Sequence, residues 1–138
     1  MNCLVTLKAY VAVTDFDWFH YLSNDSGLDE VNFWRPLAQQ HVHAVSPGEP
    51  FFLRLKQPYH AVAGFGFFAT QSSLPIYLAW DVFGPKNGDP DFTRFLARIT
   101  AYRTRRGSSN EALTLPLNCI VLRDVVFLPE REWLPWLD

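Results

Sequence analysis

Only two of the 138 residues are cysteine, Cys3 and Cys119, and they are too distant in sequence to form a C-x-x-C pair. Both lie among apolar neighbours, Leu4-Val5 and Ile120-Val121. The expectation is two buried free thiols, not a disulfide framework. Long hydrophobic runs are missing as well: nothing approaches the roughly 20 apolar residues that a membrane-crossing helix needs. Met1 to Leu7 is too short and uncharged for a secretory leader and reads as a vector-derived or mis-assigned start ahead of the first strand. A single cytoplasmic domain over residues 1–138, with no membrane association, is expected. Charge of one sign is also scarce. Twelve Lys and Arg against fourteen Asp and Glu leave a net charge of −2, without the broad cationic surface that non-specific nucleic-acid binding uses to displace counterions.

The signatures of catalysis are absent too. There is no G-x-S-x-G, and neither cysteine has a histidine beside it in sequence to act as a base. Gly64-Phe-Gly66 lacks the third glycine, the following helix and the acidic partner of a dinucleotide site, and no Walker lysine occurs. His41 and His43, two apart, would share one face of a strand, but no third ligand accompanies them, and His20 and His60 have no companions. A binding module without catalytic residues, cofactor or metal is the expectation.

Aromatic side chains are what the sequence has in excess. Twelve Phe, five Tyr and five Trp make up 16% of the chain, more than a small core needs, and flat amphipathic rings suit the recognition of flat ligands. Their setting follows from periodicity and punctuation. Residues 8–14 are β-branched and aromatic and read as a strand. Thr14 or Asp15 is placed to cap a helix carrying Phe16, Phe19 and Leu22, which the polar run 23–27 stops. Residues 30–34 form a second strand, ended by Pro36. Residues 39–46 read as a loop with a short strand near Val42, followed by strands over 51–56 and 61–69. Gly64 and Gly66 in the latter mark a bulge or a close approach to the backbone. Pro75 opens a helix reaching about Phe83. Asp91 opens a longer one with Phe92, Phe95, Leu96, Ile99 and Tyr102 on one face, and Arg103, Arg105 and Arg106 in its last turn complement the helix dipole. Residues 118–122 and 125–128 form a final strand or hairpin arm. Strands that do not alternate regularly with helices favour α+β architecture with a mixed, strongly curved sheet, a small open barrel with about three helices packed outside.

Two aromatic clusters fall at strand ends, where a curved sheet opens a pocket: Asp15-Phe-Asp-Trp-Phe19 and Val31-Asn-Phe-Trp34. Phe16 and Phe19 belong to the core at helical spacing, whereas Trp34 stands between core and pocket. Trp18 and Trp34 could sandwich a planar ligand, and Asn32 or Asp15 could read its polar edge, since an amide donates and accepts at once.

The succession Tyr10-Val-Ala-Val-Thr-Asp15, Asp17-Trp-Phe19, Asp29-Glu-Val-Asn-Phe-Trp34, Pro47-Gly-Glu-Pro-Phe51, Gly64-Phe-Gly-Phe-Phe68, Ala79-Trp80, Phe83-Gly84 and Asn87-Gly88 resembles the N-terminal domain of certain bacterial HNH restriction endonucleases. That domain resembles EVE and other PUA-like folds, relatives of the YTH, ASCH and SRA base readers, and the likeness spans residues 8 to 136. It implies a PUA-like barrel that takes one modified base, flipped from its stack, into an aromatic cage. Modified cytosine in DNA is the ligand it favours. The base-binding set it implies is Thr14, Asp15, Trp18, Asn32, Phe33, Trp34, Gly66 and Trp80, with Arg103, Arg105 and Arg106 on phosphates. No His-Asn-His pattern occurs before Asp138, so the implied nuclease would act in cis or in trans. An RNA-binding module for a modified or unpaired nucleotide is the second expectation. A protein-interaction or inhibitor domain, suited to the acidic balance, is the third.

Overall fold

The computed structural model describes residues 8–25, 27–105 and 115–137. In chain order they form β1 (Tyr10–Thr14), α1 (Phe16–Ser23), β2 (Glu30–Arg35), a 3-10 turn (Ala38–Gln40), β3 (Pro50–Leu55), β4 (Ala61–Leu74), α2 (Ile76–Phe83), a second 3-10 turn (Gly84–Asn87), α3 (Phe92–Arg105), β5 (Leu117–Phe127), a third 3-10 turn (Glu130–Glu132) and β6 (Leu134–Pro135).

Side-chain alternation builds the sheet. Ala12 and Thr14 of β1 point inward while Val11 and Val13 point out, and Phe51, Leu53 and Leu55 do the same on β3, the period of two that a half-buried strand requires. The strand order is β1-β3-β4-β5-β2, with β6 against the start of β4. β1 and β3 run parallel and the remaining pairs antiparallel. The sheet is mixed, as expected.

Curvature comes from β4 and its neighbours. Register shifts interrupt β3–β4 once and β4–β5 twice, and such bulges bend the strand that carries them. Gly64 sits at the tightest approach: a Cβ there would stand 2.6 Å from the Val126 carbonyl oxygen and 3.2 Å from the Phe19 ring. The curl carries the two outer strands toward one another. Ala12 of β1 and Phe33 of β2 share one core, Phe33 meets Phe51 of β3 at 5.2 Å, and Arg35 of β2 donates to the Tyr10 hydroxyl of β1 at 3.1 Å. The barrel stays open, because β1 and β2 never pair.

A second core lies under α2 and α3, where Ile76, Ala79, Phe95 and Ile99 meet Leu117 and Cys119 of β5. Phe95 is fully buried and touches the rings of both Trp34 and Trp80.

Four local expectations need correction. No strand forms at Val42, because the Gln71 side chain accepts from its N–H at 3.0 Å and donates to its C=O, taking the place of a ladder. The final strand is one element, bent at Asp124, whose φ is +51°. β4 continues five residues past Ala69, to Leu74, because β5 pairs with it along that whole length. Neither Thr14 nor Asp15 caps α1 with its side chain: the Thr14 hydroxyl donates to the Ala12 carbonyl, and Asp15, at the cap position, gives its carboxylate to Lys56. Asp91 does cap α3, accepting from the Arg94 N–H at 2.9 Å.

Because Phe95 has no exposed surface and joins two indoles, Phe95→Ala is expected to cost about 3–5 kcal/mol of stability through the cavity it leaves. Chemical denaturation measures this, and a near-neutral effect would remove Phe95 from the core.

Candidate functional site

An open sheet has two outer edges, and here they face each other across a cavity of about 400 Å³. That is inside the range of about 300–1,000 Å³ typical of small-molecule sites. Tyr10, Val11, Val13 and Thr14 of β1 line one side, and Phe33, Trp34 and Arg35 of β2 the other. Asp15 and Trp18, at the start of α1, and Arg98 and Tyr102 of α3 complete it with Lys56, the residue after β3.

Both indoles are held in place by partners outside the cavity as well as within it. Trp34 is half-buried; its indole N–H donates to the Asn87 carbonyl at 2.8 Å, and its ring meets Phe95 and Tyr102 edge to face at 5.4 and 6.1 Å. Trp18 is 5% exposed and donates to the Asn32 carbonyl at 3.3 Å. Its ring packs across Phe33 and over Gly88, where a Cβ would lie 2.3 Å away and φ is +95°. Only glycine fits there, on space and on backbone conformation alike. Lys56 pairs with Asp15 and stands 5.3 Å from the Tyr102 ring centroid, so the mouth carries one compensated ion pair. Arg98 is committed to the buried Asp89 carboxylate through three contacts of 2.9 to 3.3 Å.

Neither a protein-family profile nor a curated protein matches the sequence. Solved structures do. The chain is similar to the crystal structure of ASCH from Zymomonas mobilis, with a TM-score of 0.55 at 12% identity over 85% of this chain and 68% of that one. Two point variants of ASCH from that organism give the same TM-score at 13% and 14% identity, each over 95% of this chain and over 91% and 89% of theirs. The fold is PUA-like.

Within this PUA-like frame the expected base-binding residues separate. Thr14, Asp15, Trp18, Phe33 and Trp34 converge on the cavity. Asn32 does not. It is fully buried on the other face of β2, where its Nδ2 donates to Asn87 Oδ1 at 2.7 Å. Burial pushes the pKa of the neighbouring Cys119 thiol up, against a smaller lowering by the Asn32 side chain. Gly66 lies on β4 against Leu122 and Val125, and Trp80 belongs to the second core beside Phe92 and Phe95. Nor are two free indole faces opposed, since Trp18 shows the cavity only a strip of its ring.

The arginines separate as well. Arg103 is 1% exposed and donates to the carbonyls of Pro36, Leu115 and Pro116 at 2.7 to 3.3 Å, and burial pulls its pKa down. It ties α3 to the end of β2 and the start of β5, and is no phosphate ligand. Arg105 is exposed, 4.6 Å over the Tyr102 ring. Arg106 lies outside the described residues.

Tyr10, Arg35, Lys56, Arg98 and Tyr102 were not read from the sequence as cavity residues. Lys56 alone carried a signal, a cation ending an alternating strand. His41 and His43 bring their rings to 4.8 Å, but no group of three metal-ligating side chains is assembled among the described residues. No helix among them is long and apolar enough to cross a membrane.

Arg103→Ala should therefore act on stability, leaving three inward carbonyls without their donor at a cost of about 3 kcal/mol. A lowered denaturation midpoint with ligand affinity unchanged per folded molecule is the expected result; lost affinity at full stability would return Arg103 to a binding role.

Proposed function

We propose that this chain is a nucleic-acid-binding module, without catalysis of its own, that holds a single unstacked base in the cavity between β1 and β2. The observation that carries the reading is the cavity itself: one base-sized hollow, walled by Tyr10, Phe33, Trp34 and Tyr102, at the open seam of a PUA-like sheet. Aromatic walls reward a planar ligand by stacking. Polar groups at the rim, the Arg35 guanidinium and the Lys56–Asp15 pair, suit a heterocycle with donors and acceptors on its edge. A base enters such a hollow only after leaving its stack, at a cost of a few kcal/mol that is least for damaged, modified or unpaired positions. The near-neutral charge balance fits recognition concentrated in one pocket.

Within that reading the ligand is a modified cytosine of DNA, and a nuclease would be recruited in cis or in trans. Fluorescence titration with duplexes carrying cytosine, 5-methylcytosine or 5-hydroxymethylcytosine, and with single-stranded RNA, tests it. Preference for a modified duplex supports the DNA reading, and better competition by RNA turns it toward an unpaired ribonucleotide. Negligible binding of all four probes removes the function.

Tyr102 gives the most direct side-chain test. It is half-buried on α3 and makes no side-chain hydrogen bond to another described residue. Tyr102→Ala should weaken binding of the preferred probe by about 1–3 kcal/mol, the scale of one lost base stack, with the thermal midpoint nearly unchanged. Unaltered affinity would exclude Tyr102 as a wall of the occupied site.

A further inference from the structure

The free edge of β1 has an orientation that hydrogen bonding fixes. Thr14 pairs with Leu55 in the parallel register, and the N–H of Lys56 donates to the Thr14 carbonyl at 3.1 Å. The Thr14 peptide groups therefore face β3. Within a strand the N–H and C=O of one residue point to the same side, and successive residues point to opposite sides. Ala12 also faces β3, so Val11 and Val13 turn their N–H and C=O the other way. Among the described residues β1 has no second neighbour there, and no turn, loop or side-chain hydrogen bond reaches those groups. Both valines line the cavity.

An unpaired strand edge is normally blunted by lysine, proline, a bulge or a cover, because it invites another chain to pair. β1, Tyr-Val-Ala-Val-Thr, carries none of these within it. The cavity also limits what can pair. The Arg35–Tyr10 hydrogen bond bridges β2 and β1 at one end, so an extended peptide could not lie along the whole edge, whereas a flat heterocycle standing between the aromatic walls could. Val13 is the better placed of the two valines. It is 47% exposed against 36% for Val11, and it lies one residue from Thr14 and two from Asp15, next to the Trp18, Lys56 and Tyr102 end.

We infer that the main chain of Val13 reads the ligand: its N–H donates to a ring acceptor and its C=O accepts from an adjacent ring or exocyclic N–H. The inference rests on the base-binding reading above and adds its recognition chemistry. An acceptor beside a donor is what the pairing edge of a nucleobase presents, so the base must be unpaired as well as unstacked. The N–H and C=O of one valine, with no polar side chain, would then do the work that the sequence suggested for the Asn32 amide.

Backbone ester substitution of the full chain tests this, because replacing one N–H by an ester oxygen deletes a single donor. At Ala12 it should lower the thermal midpoint most, since that N–H belongs to the β1–β3 ladder; at Val11 and Val13 it should lower it less, only through the weaker acceptor left at the preceding carbonyl. The binding probe is a single-stranded DNA oligonucleotide carrying one 5-methylcytosine, followed by fluorescence anisotropy. The Val13 ester should weaken it about tenfold and the Val11 ester less than about twofold. The same oligonucleotide with N4,N4-dimethylcytosine, which has lost the exocyclic donor, should bind the unaltered protein about tenfold more weakly. If the unaltered protein binds no oligonucleotide, the base-binding reading falls and this inference with it. If it binds and neither the Val13 ester nor the dimethylated base weakens it, the inference alone is overturned.

Discussion

Four hydrogen bonds converge on Asn87, and the geometry of the cavity depends on them. Its Nδ2 donates to the carbonyls of Ala79 and Gly84 at 3.1 and 2.9 Å, its Oδ1 accepts from Asn32 at 2.7 Å, and its main-chain oxygen accepts the Trp34 indole at 2.8 Å. One buried residue, through its amide and its main-chain carbonyl, thus ties α2 to two successive same-face positions of β2. Its neighbour Gly88 supplies the left-handed backbone and the empty Cβ position that Trp18 fills. Buried polar groups left without partners cost about 1–3 kcal/mol each, so the arrangement tends to form as a unit. The two indoles on either side of Phe33 are consequently held by the same short turn, although they come from α1 and β2.

That turn explains why the seam of the barrel stays open without collapsing. The same core holds both outer strands, yet β2 is anchored on its outer face by Asn87 and by the second core, and β1 by β3 alone. Were the two edges to pair, they would have to close over the aromatic side chains between them. The Tyr10–Arg35 bond spans the seam by side chains, which sets a separation larger than a ladder's. A hollow between strand edges differs from a surface groove, because its rim is main chain and its walls are rings. Such a place favours small planar ligands over extended ones.

The sequence was most legible where one residue type answers one physical demand. β-Branched and aromatic composition located β1, alternation located β3, proline and glycine punctuated α2, and Asp91 marked the start of α3. Among the cavity residues, Asp15, Trp18 and Trp34 were legible because strand ends lie where a curved sheet opens, and Thr14 and Phe33 through the family resemblance. Asn32 was misplaced because its amide is turned to Asn87 and fully buried, whereas Trp34, two residues further along the same face, reaches the cavity. Trp80 looked like a pocket residue because its matched segment did, while its position on α2 turns it to Phe95. The residues that went unseen, Tyr10, Lys56 and Tyr102, come from three elements whose meeting depends on how the sheet curls. Bulges between Phe65 and Thr70 set that curl, and no local pattern gives its extent.

The arginines of α3 show why a cluster in sequence says little about a surface. Arg94, Arg98 and Arg105 fall four and seven residues apart and share one face, which opens on a groove beside the cavity. Arg103 is two residues from Arg105 and points the opposite way, into carbonyl oxygens. Of the three on the groove, Arg98 is neutralised by Asp89, Arg94 stands 4.0 Å from Asp91, and Asp15 and Asp17 border the same groove. The local charge is close to balanced despite the run of cations. A phosphate backbone lying there would gain from Arg105 and Arg94 but would meet Asp17, so counterion release cannot supply the bulk of the affinity. On the proposed base-binding reading, recognition would then come from the hollow, through stacking and short-range hydrogen bonds that salt screens weakly.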